Sequence, residues 1–480
     1  MELLQKYFDA ALESPDGIKK LRELILTLAM QGKLFHPSCS VNNEWKQGKL
    51  GDIFEFEYGK SLPSSMRSNT GEYPVFGSNG IVGTHQEALV MAPCLIIGRK
   101  GSAGAITLSN HKGCFVTDVA FYCVPNPSVD LKFAYHFLQS MKLPSLSKGI
   151  KPGINRNEVY NLRVMIPPLN EQTRIVAKID HLMSICDKLE ELQQQKASTI
   201  LSAHSASIKL LLTSANADEL ASCWQFITQH FDAFYTTIEN VDELKKAIVK
   251  LAMQGKLVPQ DSNDEPASEL LKTIQAEKIR LKQQGKFRSF KVKSTDSPEK
   301  TKRNLPISWG SLDITECYYM LGGRINQVQT SEYLPVGKYP VIDQGKTFIA
   351  GYSDRVESVL QTPHDVVVFG DHTRNFKYID FDFIIGADGV KVMCPYTSIF
   401  PRYFYYSLLS LSIRDRGYAR HFKVLNENVL PIPPINEQKR IVGKIDQLNE
   451  ICDTLVDQIQ KSTVKQTEIL DSVFSQAVVV

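Results

Sequence analysis

Ile175, Ile179, Leu182, Cys186 and Leu189 follow one another at spacings of 4, 3, 4 and 3 residues. Ile441, Ile445, Leu448, Cys452 and Leu455 repeat the rhythm, and Ile459 extends it. Apolar side chains at this alternation, with charged and amide residues between them, predict long helices with one narrow apolar seam. Two such helices can pack side by side as a coiled coil. The stretches are near copies: residues 166–189 and 432–455 agree at 17 of 24 positions. A second pair of shorter amphipathic helices carries Ile18, Leu21, Ile25 and Leu28 in one copy and Val241, Leu244, Ile248 and Leu251 in the other. Both run into the same seven residues, LAMQGKL, at 28–34 and 251–257.

The ends of these helices are written in the sequence too. Pro167 with Pro168, and Pro433 with Pro434, stop each long helix from extending backwards, because proline lacks the N–H and clashes with the preceding turn. Asn170 and Asn436 are placed to cap, and Glu171 and Glu437 put a carboxylate where the helix dipole favours it. Gly32 and Gly255 stand where a C-terminal stop is expected. A first long helix from residue 171 to about 212 would span roughly 60 Å. The chain thus reads as frame, variable block, frame, frame, variable block, frame. A stalk for self-association needs no second copy in one chain, whereas a doubled frame gives one polypeptide an internal two-fold and two equivalent places for an outside partner.

The blocks, residues 45–165 and 306–430, differ far more than their frames. Strand-like runs punctuate both: DIFEFEY, CLIIG and VAFYCV in the first, DVVVFG and FDFIIG in the second. Each also has one aromatic helix, KFAYHFLQS at 132–140 and RYFYYSLLS at 402–410, and a YPV run, 73–75 and 339–341, leading into a glycine-containing loop. The two read as distant versions of one mixed fold.

Composition narrows the class. A chain of 480 residues with 43% hydrophobic and 22% charged residues has room for two or three domains. No basic, then apolar, leader opens it and no apolar run is long enough to span a bilayer, so a cytoplasmic location is expected. Nine cysteines without a CxxC pair argue against a disulfide framework or a zinc site. The net charge of +3 is small, but the first block holds 13 Lys and Arg against 8 Asp and Glu. Residues 272–303, with 11 basic and 3 acidic side chains, read as a short helix and a solvated connector without a counterpart in the first half, with contact to DNA phosphates as the alternative.

Candidate chemistry lies in loops. Arg99, Lys100 and Ser102 follow the CLIIG strand, and His372, Thr373 and Arg374 follow DVVVFG. Lys151, Asn155 and Arg156 close the first block, while Arg420, His421 and Lys423 close the second. Ser78, Asn79, Arg324, Gln344 and Lys346 join them from other glycine-containing turns. Arginine and lysine suit guanine edges and phosphates, and small polar side chains suit adenine or phosphate, so these loops are the candidate DNA readers. No phosphate-binding G-x-x-x-x-G-K-[ST] loop occurs. The double prolines are flanked by Ile166 and Leu169, and by Ile432 and Ile435, not by the polar and aromatic neighbours of an amino-methyltransferase. No catalytic residue and no metal site is expected.

The doubled LAMQGKL and PPxNEQ boxes, together with two dissimilar blocks, resemble the specificity subunits of type I restriction and modification enzymes over essentially the whole chain. The resemblance implies an α/β (α+β) architecture: two target recognition domains of mixed α/β type separated by two long antiparallel coiled-coil helices. Its segments would be 1–44 as N-terminal frame pairing with the C-terminal region, 45–165 and 306–430 as recognition domains, 166–271 as central spacer, 272–305 as basic helix and linker, and 431–480 as C-terminal helix. Each domain would read half of a bipartite asymmetric site in double-stranded DNA. The helices, with Asn170, Glu171, Gln172 and Arg174 and with Asn436, Glu437, Gln438 and Arg440, would set the spacing and dock two methyltransferase subunits. Two nuclease-translocase subunits would complete the complex, and S-adenosylmethionine, ATP and Mg²⁺ would belong to those partners. A coiled-coil scaffold that binds no DNA, and a methylation-only system, are the alternatives.

Overall fold

The computed structural model describes residues 14, 16–34, 45–146, 153–285, 305–415, 417 and 419–479. The chain divides into two compact units, residues 1–198 with 461–480, and residues 199–460.

In the first unit α1 (Gly17–Met30) precedes a block built from β1 (Lys46–Lys49), β2 (Glu57–Tyr58), β3 (Tyr73–Gly77), β4 (Gly80–His85), β5 (Cys94–Gly98), β6 (Ile106–Ser109), β7 (Phe115–Val116) and β8 (Ala120–Cys123). Helices α2 (Leu131–Ser140) and α3 (Arg156–Tyr160) and strand β9 (Arg163–Ile166) complete it, and the 45-residue α4 (Leu169–Thr213) follows at once. Its sheets have strand orders β2-β8-β5-β6 and β4-β3-β7, and β1 pairs with β9 to close the root of the block. β5 is buried along its whole length and lies inside its sheet, as its unbroken apolar run requires.

The second unit takes the end of α4, then α5 (Ala217–Gln229), α6 (Phe231–Phe234), α7 (Ile238–Ala252) and α8 (Ala267–Gln283). Its block comprises β10 (Gly310–Asp313), β11 (Tyr318–Leu321), β12 (Tyr339–Ile342), β13 (Gly351–Ser353), β14 (Val366–Gly370), β15 (Phe376–Ile379), β16 (Ile384–Ile385) and β17 (Val390–Pro395). After them come α9 (Pro401–Leu409), α10 (Phe422–Leu425), β18 (Val429–Ile432) and the 45-residue α11 (Ile435–Val479). The strand orders, β11-β17-β14-β15, β13-β12-β16 and β10-β18, reproduce those of the first block. Each unit contains the start of one long helix and the end of the other.

The frames explain themselves by burial. Gly32 and Gly255 end their short helices at φ 68° and 71°, a left-handed conformation that glycine adopts without cost. In the first unit Ile175, Ile179 and Cys186 of α4 share one apolar cluster with Ile18, Ile25 and Ala29 of α1 and Phe133 and Phe137 of α2. In the second, Ile441, Ile445 and Cys452 of α11 share one with Val241, Leu244 and Ile248 of α7 and Tyr403 and Tyr406 of α9. Burying an isoleucine side chain fully contributes about 2 kcal/mol, so Ile175 with Ile179, and Ile441 with Ile445, anchor the helix starts. The seam is therefore covered over its first turns by a short frame helix and the aromatic helix of a block, and in the second unit Leu211 of α4 joins them. Further along, half-buried Ile200, Ile208 and Leu212 of α4 join the cluster that contains Leu448, Leu455 and Ile459 of α11.

Other expectations need correction. The long helices begin at Leu169 and Ile435, so Asn170 and Asn436 stand inside the first turn and do not cap. The Asn170 side chain instead accepts the N–H of Glu171 at 2.8 Å, and the Pro168 carbonyl accepts the first helical N–H groups. DIFEFEY forms a strand only at Glu57–Tyr58, after the 3-10 turn Leu50–Asp52, because Phe54 and Phe56 turn into the core. FDFIIG forms one only at Ile384–Ile385. The short helix expected in the basic stretch is present as α8, and its Ile274 and Leu281 lie in the core of the second block. Its buried Glu277 accepts the N–H groups of Thr397 at 3.0 Å and Ser398 at 3.4 Å. Residues 286–304 lie outside the described residues.

Candidate nucleic-acid interface

In the first block four connections meet beside Gly98. A Cβ there would stand 2.1 Å from the Ser102 carbonyl oxygen and 2.5 Å from that of Ser78, so only glycine lets the β3–β4 tip and the β5–β6 loop come together. The N–H groups of Arg99 and Lys100 donate to the Val119 carbonyl of the β7–β8 turn at 2.9 and 3.1 Å. From the other side Ile154 N–H donates to the Arg99 carbonyl at 3.2 Å. The backbone of the loop is thus held on two edges while its side chains project.

Two arginines then stack on one ring. The Arg99 guanidinium carbon lies 5.1 Å and that of Arg156 5.0 Å from the centre of the Tyr58 ring, which is 51% exposed. Arg99 also donates to the Asp118 carbonyl at 3.0 Å and Arg156 to the Phe56 carbonyl at 3.1 Å. Guanidinium groups held over an aromatic face keep their charge and give up little further freedom when they meet an anion.

The second block repeats this wiring with other side chains. At Gly370 a Cβ would meet Thr373 Oγ1 at 2.2 Å and Gln344 Cβ at 2.9 Å. Asp371 N–H donates to the Gly389 carbonyl at 2.7 Å, and His421 N–H donates to the Asp371 carbonyl at 2.9 Å. Arg374, at φ 63°, points its guanidinium at the Asp415 carboxylate, 2.8 Å away. The Gly417 N–H, 2.8 Å from Asp415 Oδ1, and then the Arg374 charge hold that carboxyl below its ordinary range. Thr373 Oγ1 donates to the Gln344 carbonyl, and Gln344 accepts from His372 N–H and donates to the Asp388 carbonyl.

These contacts sort the candidate readers. Ser78, Asn79, Arg99, Lys100, Ser102 and Arg156 come together on the first block. Asn155 caps α3 by accepting from Asn157 N–H at 2.9 Å, and Lys151 lies outside the described residues. On the second block His372 and Arg374 gather at the loop cluster, with Lys346 exposed beyond Gln344. Arg420 and Lys423 are exposed on either side of His421, and Arg324 is exposed on a separate 3-10 turn, Arg324–Asn326. His421 is a correction: it is fully buried, with its backbone and Nδ1 both at the Asp371 carbonyl, so it braces the loop and faces no DNA. Gln344 and Thr373 likewise spend their polar groups inside the cluster. Sequence reasoning missed Tyr58 and Asp415, which position arginines from distant connections and carry no local pattern.

The NEQ boxes also turn inwards. Gln172 and Gln438 are fully buried, and Glu437 is 1% exposed, so none of the three faces an outside partner. Glu437 accepts from Trp309 Nε1 at 2.9 Å and Gln260 Nε2 at 2.6 Å, and burial raises its pKa. Arg440 forms a two-pronged pair with Asp264. Asn170, Arg174 and Asn436 are exposed and Glu171 is half-buried. Among the described residues no cluster of His, Cys, Asp and Glu could hold a metal, and no helix is long and apolar enough to cross a membrane.

Comparison with known proteins places this architecture. The type I restriction modification DNA specificity domain family matches residues 42–199. The type I restriction enzyme EcoAI specificity subunit of Escherichia coli is 31% identical over 94% of this chain and 92% of its own length. The EcoEI specificity subunit of Escherichia coli is 29% identical over 96% and 94%. A solved chain from a study of complex assembly and conformational transition of the type I R-M system shares the fold, with a TM-score of 0.51 at 16% identity over 91% of this chain and 97% of that one. The chain therefore belongs to the family of type I restriction enzyme specificity subunits.

Proposed function

We propose that each block reads one half of a bipartite asymmetric site in double-stranded DNA, and that α4 and α11 set the gap and dock two methyltransferase subunits. Two nuclease-translocase subunits complete the complex. S-adenosylmethionine, ATP and Mg²⁺ serve those partners, and this chain contributes recognition without catalysis. The observation that carries the reading is the loop cluster around Gly98 and Gly370: one backbone wiring, two different sets of side chains. A scaffold has no need of that combination, whereas a reader of two unlike half-sites does. The relatives named above are specificity subunits along nearly their full lengths, which supports the same reading.

The test is to co-express the chain with a methyltransferase subunit and map methylated bases across a genome. A two-part motif with a fixed gap is the expected result. A single uninterrupted motif would mean that one block reads nothing, and a stable complex that adds no methylation would favour the scaffold. The motif found with and without a nuclease subunit in the host distinguishes restriction from methylation alone.

Within that reading Arg99→Ala is expected to weaken binding of the cognate duplex about 10- to 100-fold, the loss that follows from removing one well-placed arginine contact. The loss should concentrate at one half-site, measured by titrating duplexes altered in either half. An equal loss with every duplex, altered or not, would assign Arg99 to phosphate alone.

A further inference from the structure

The two glutamines of the NEQ boxes are buried polar side chains that neither DNA reading nor partner docking uses. Gln172 Oε1 accepts the N–H of Asp130 at 2.7 Å, and Nε2 donates to the carbonyls of Pro167 at 2.9 Å and Ser128 at 3.1 Å. Asp130 is the residue that caps α2, its own carboxylate accepting from Phe133 N–H at 2.8 Å. Gln438 does the same work in the second unit. Its Oε1 accepts the N–H of Phe400, the residue before α9, at 2.9 Å, and its Nε2 donates to the Pro433 carbonyl at 3.0 Å. One side-chain amide therefore ties three things together in each unit: the first turn of the long helix, the proline link leading into it, and the start of the aromatic helix at the heart of the block.

That joint is stiff by construction. Only the prolines separate β9 from α4 and β18 from α11, and each proline ring fixes its own φ near −65°. The amide removes much of what freedom remains, because tilting the block would pull hydrogen-bond partners from a fully buried side-chain amide. The block sequences differ, yet in both the amide oxygen accepts an N–H at the start of the aromatic helix and the amide nitrogen donates to the first proline's carbonyl, as expected if the joint serves geometry and not base identity.

We propose that Gln172 and Gln438 are positioning residues that fix the angle at which each reading block leaves its long helix, and through it the number of base pairs between the half-sites. This rests on the two-part reading given above. The test uses the complex with the methyltransferase subunit and genome-wide mapping of methylated sites for Gln172→Ala and Gln438→Ala. The milder Gln172→Asn and Gln438→Asn keep an amide but shorten its reach. Each variant should retain both half-site words. Methylation of sites whose gap is one base pair longer or shorter should rise about tenfold relative to the normal gap, since the hydrogen bonds of the amide, three at Gln172 and two at Gln438, no longer oppose the tilt.

A gap that stays single while only the extent of methylation falls would show mere stabilisation and overturn the proposal. Should the alanine variants fail to assemble, the asparagine variants decide by the same readout. A wild-type complex that methylates no two-part site would sink the underlying reading, whereas a two-part wild-type site with an unrelaxed gap in every assembling variant would sink this proposal alone.

Discussion

Exchanging residues 45–165 for the corresponding block of another specificity subunit is expected to replace one half of the methylated motif outright and leave the other half and the gap unchanged. The expectation comes from the way the block is rooted. β1 and β9 pair in register from Lys46 with Ile166 to Lys49 with Arg163, so the chain enters and leaves through a single two-stranded sheet. The second block closes in the same manner, from Gly310 with Ile432 to Asp313 with Val429. Everything distal to that sheet, including Arg99, Arg156 and Tyr58, travels with the exchanged segment, while α1 and α4 stay behind. The magnitude should be large. Each wrong base pair costs about 1–3 kcal/mol, so three altered positions in one half remove wild-type recognition by several orders of magnitude. Sequencing of methylated sites from the exchanged complex checks it. Change in both halves would show that the blocks do not read independently, and no change would move base reading outside the exchanged segment.

Much of this architecture was legible in the sequence, and the limits follow from what a linear pattern records. The 4-3-4-3 seam marks which side chains of α4 and α11 are buried, because burial alone sets that rhythm. It does not say what covers them, and the first turns turned out to meet α1 and α7 with the aromatic helices. CLIIG and DVVVFG are legible as strands, and their unbroken apolar runs are buried on both faces along Cys94–Gly98 and Val366–Gly370. DIFEFEY alternates as a half-buried strand should, yet Phe54 and Phe56 reach the core from an irregular segment.

The loops after CLIIG and DVVVFG can be picked out as polar, glycine-containing turns, but not which connections meet them or the roles of their side chains. Whether a polar side chain projects or braces depends on neighbours far away in sequence. His421 is buried because Asp371, fifty positions earlier, supplies its acceptor. Gln172 is buried for a related reason, through Asp130 and Ser128. Tyr58 gains its place only when two arginines from separate connections arrive over its faces.

Lengthening the long helices together is expected to move the half-sites apart without altering either. Seven residues inserted after Ile200 in α4 and seven after Ile459 in α11 keep the 3.5-residue seam in phase, and both positions belong to the same apolar cluster. At 1.5 Å per residue the addition is about 10 Å, the rise of roughly three base pairs. The same addition rotates the far half-site by about three parts in ten of a DNA turn, so the block would face it obliquely and methylation should be weaker than in the wild type. Three inserted heptads add about 31 Å, close to one full turn of DNA, and bring the far half-site back to nearly its original face. A rigid spacer therefore predicts a longer gap in both variants, weak methylation with one heptad, and recovery with three. A flexible tether predicts a spread of gaps and no such recovery, and an unchanged gap would remove the spacer role from α4 and α11 altogether.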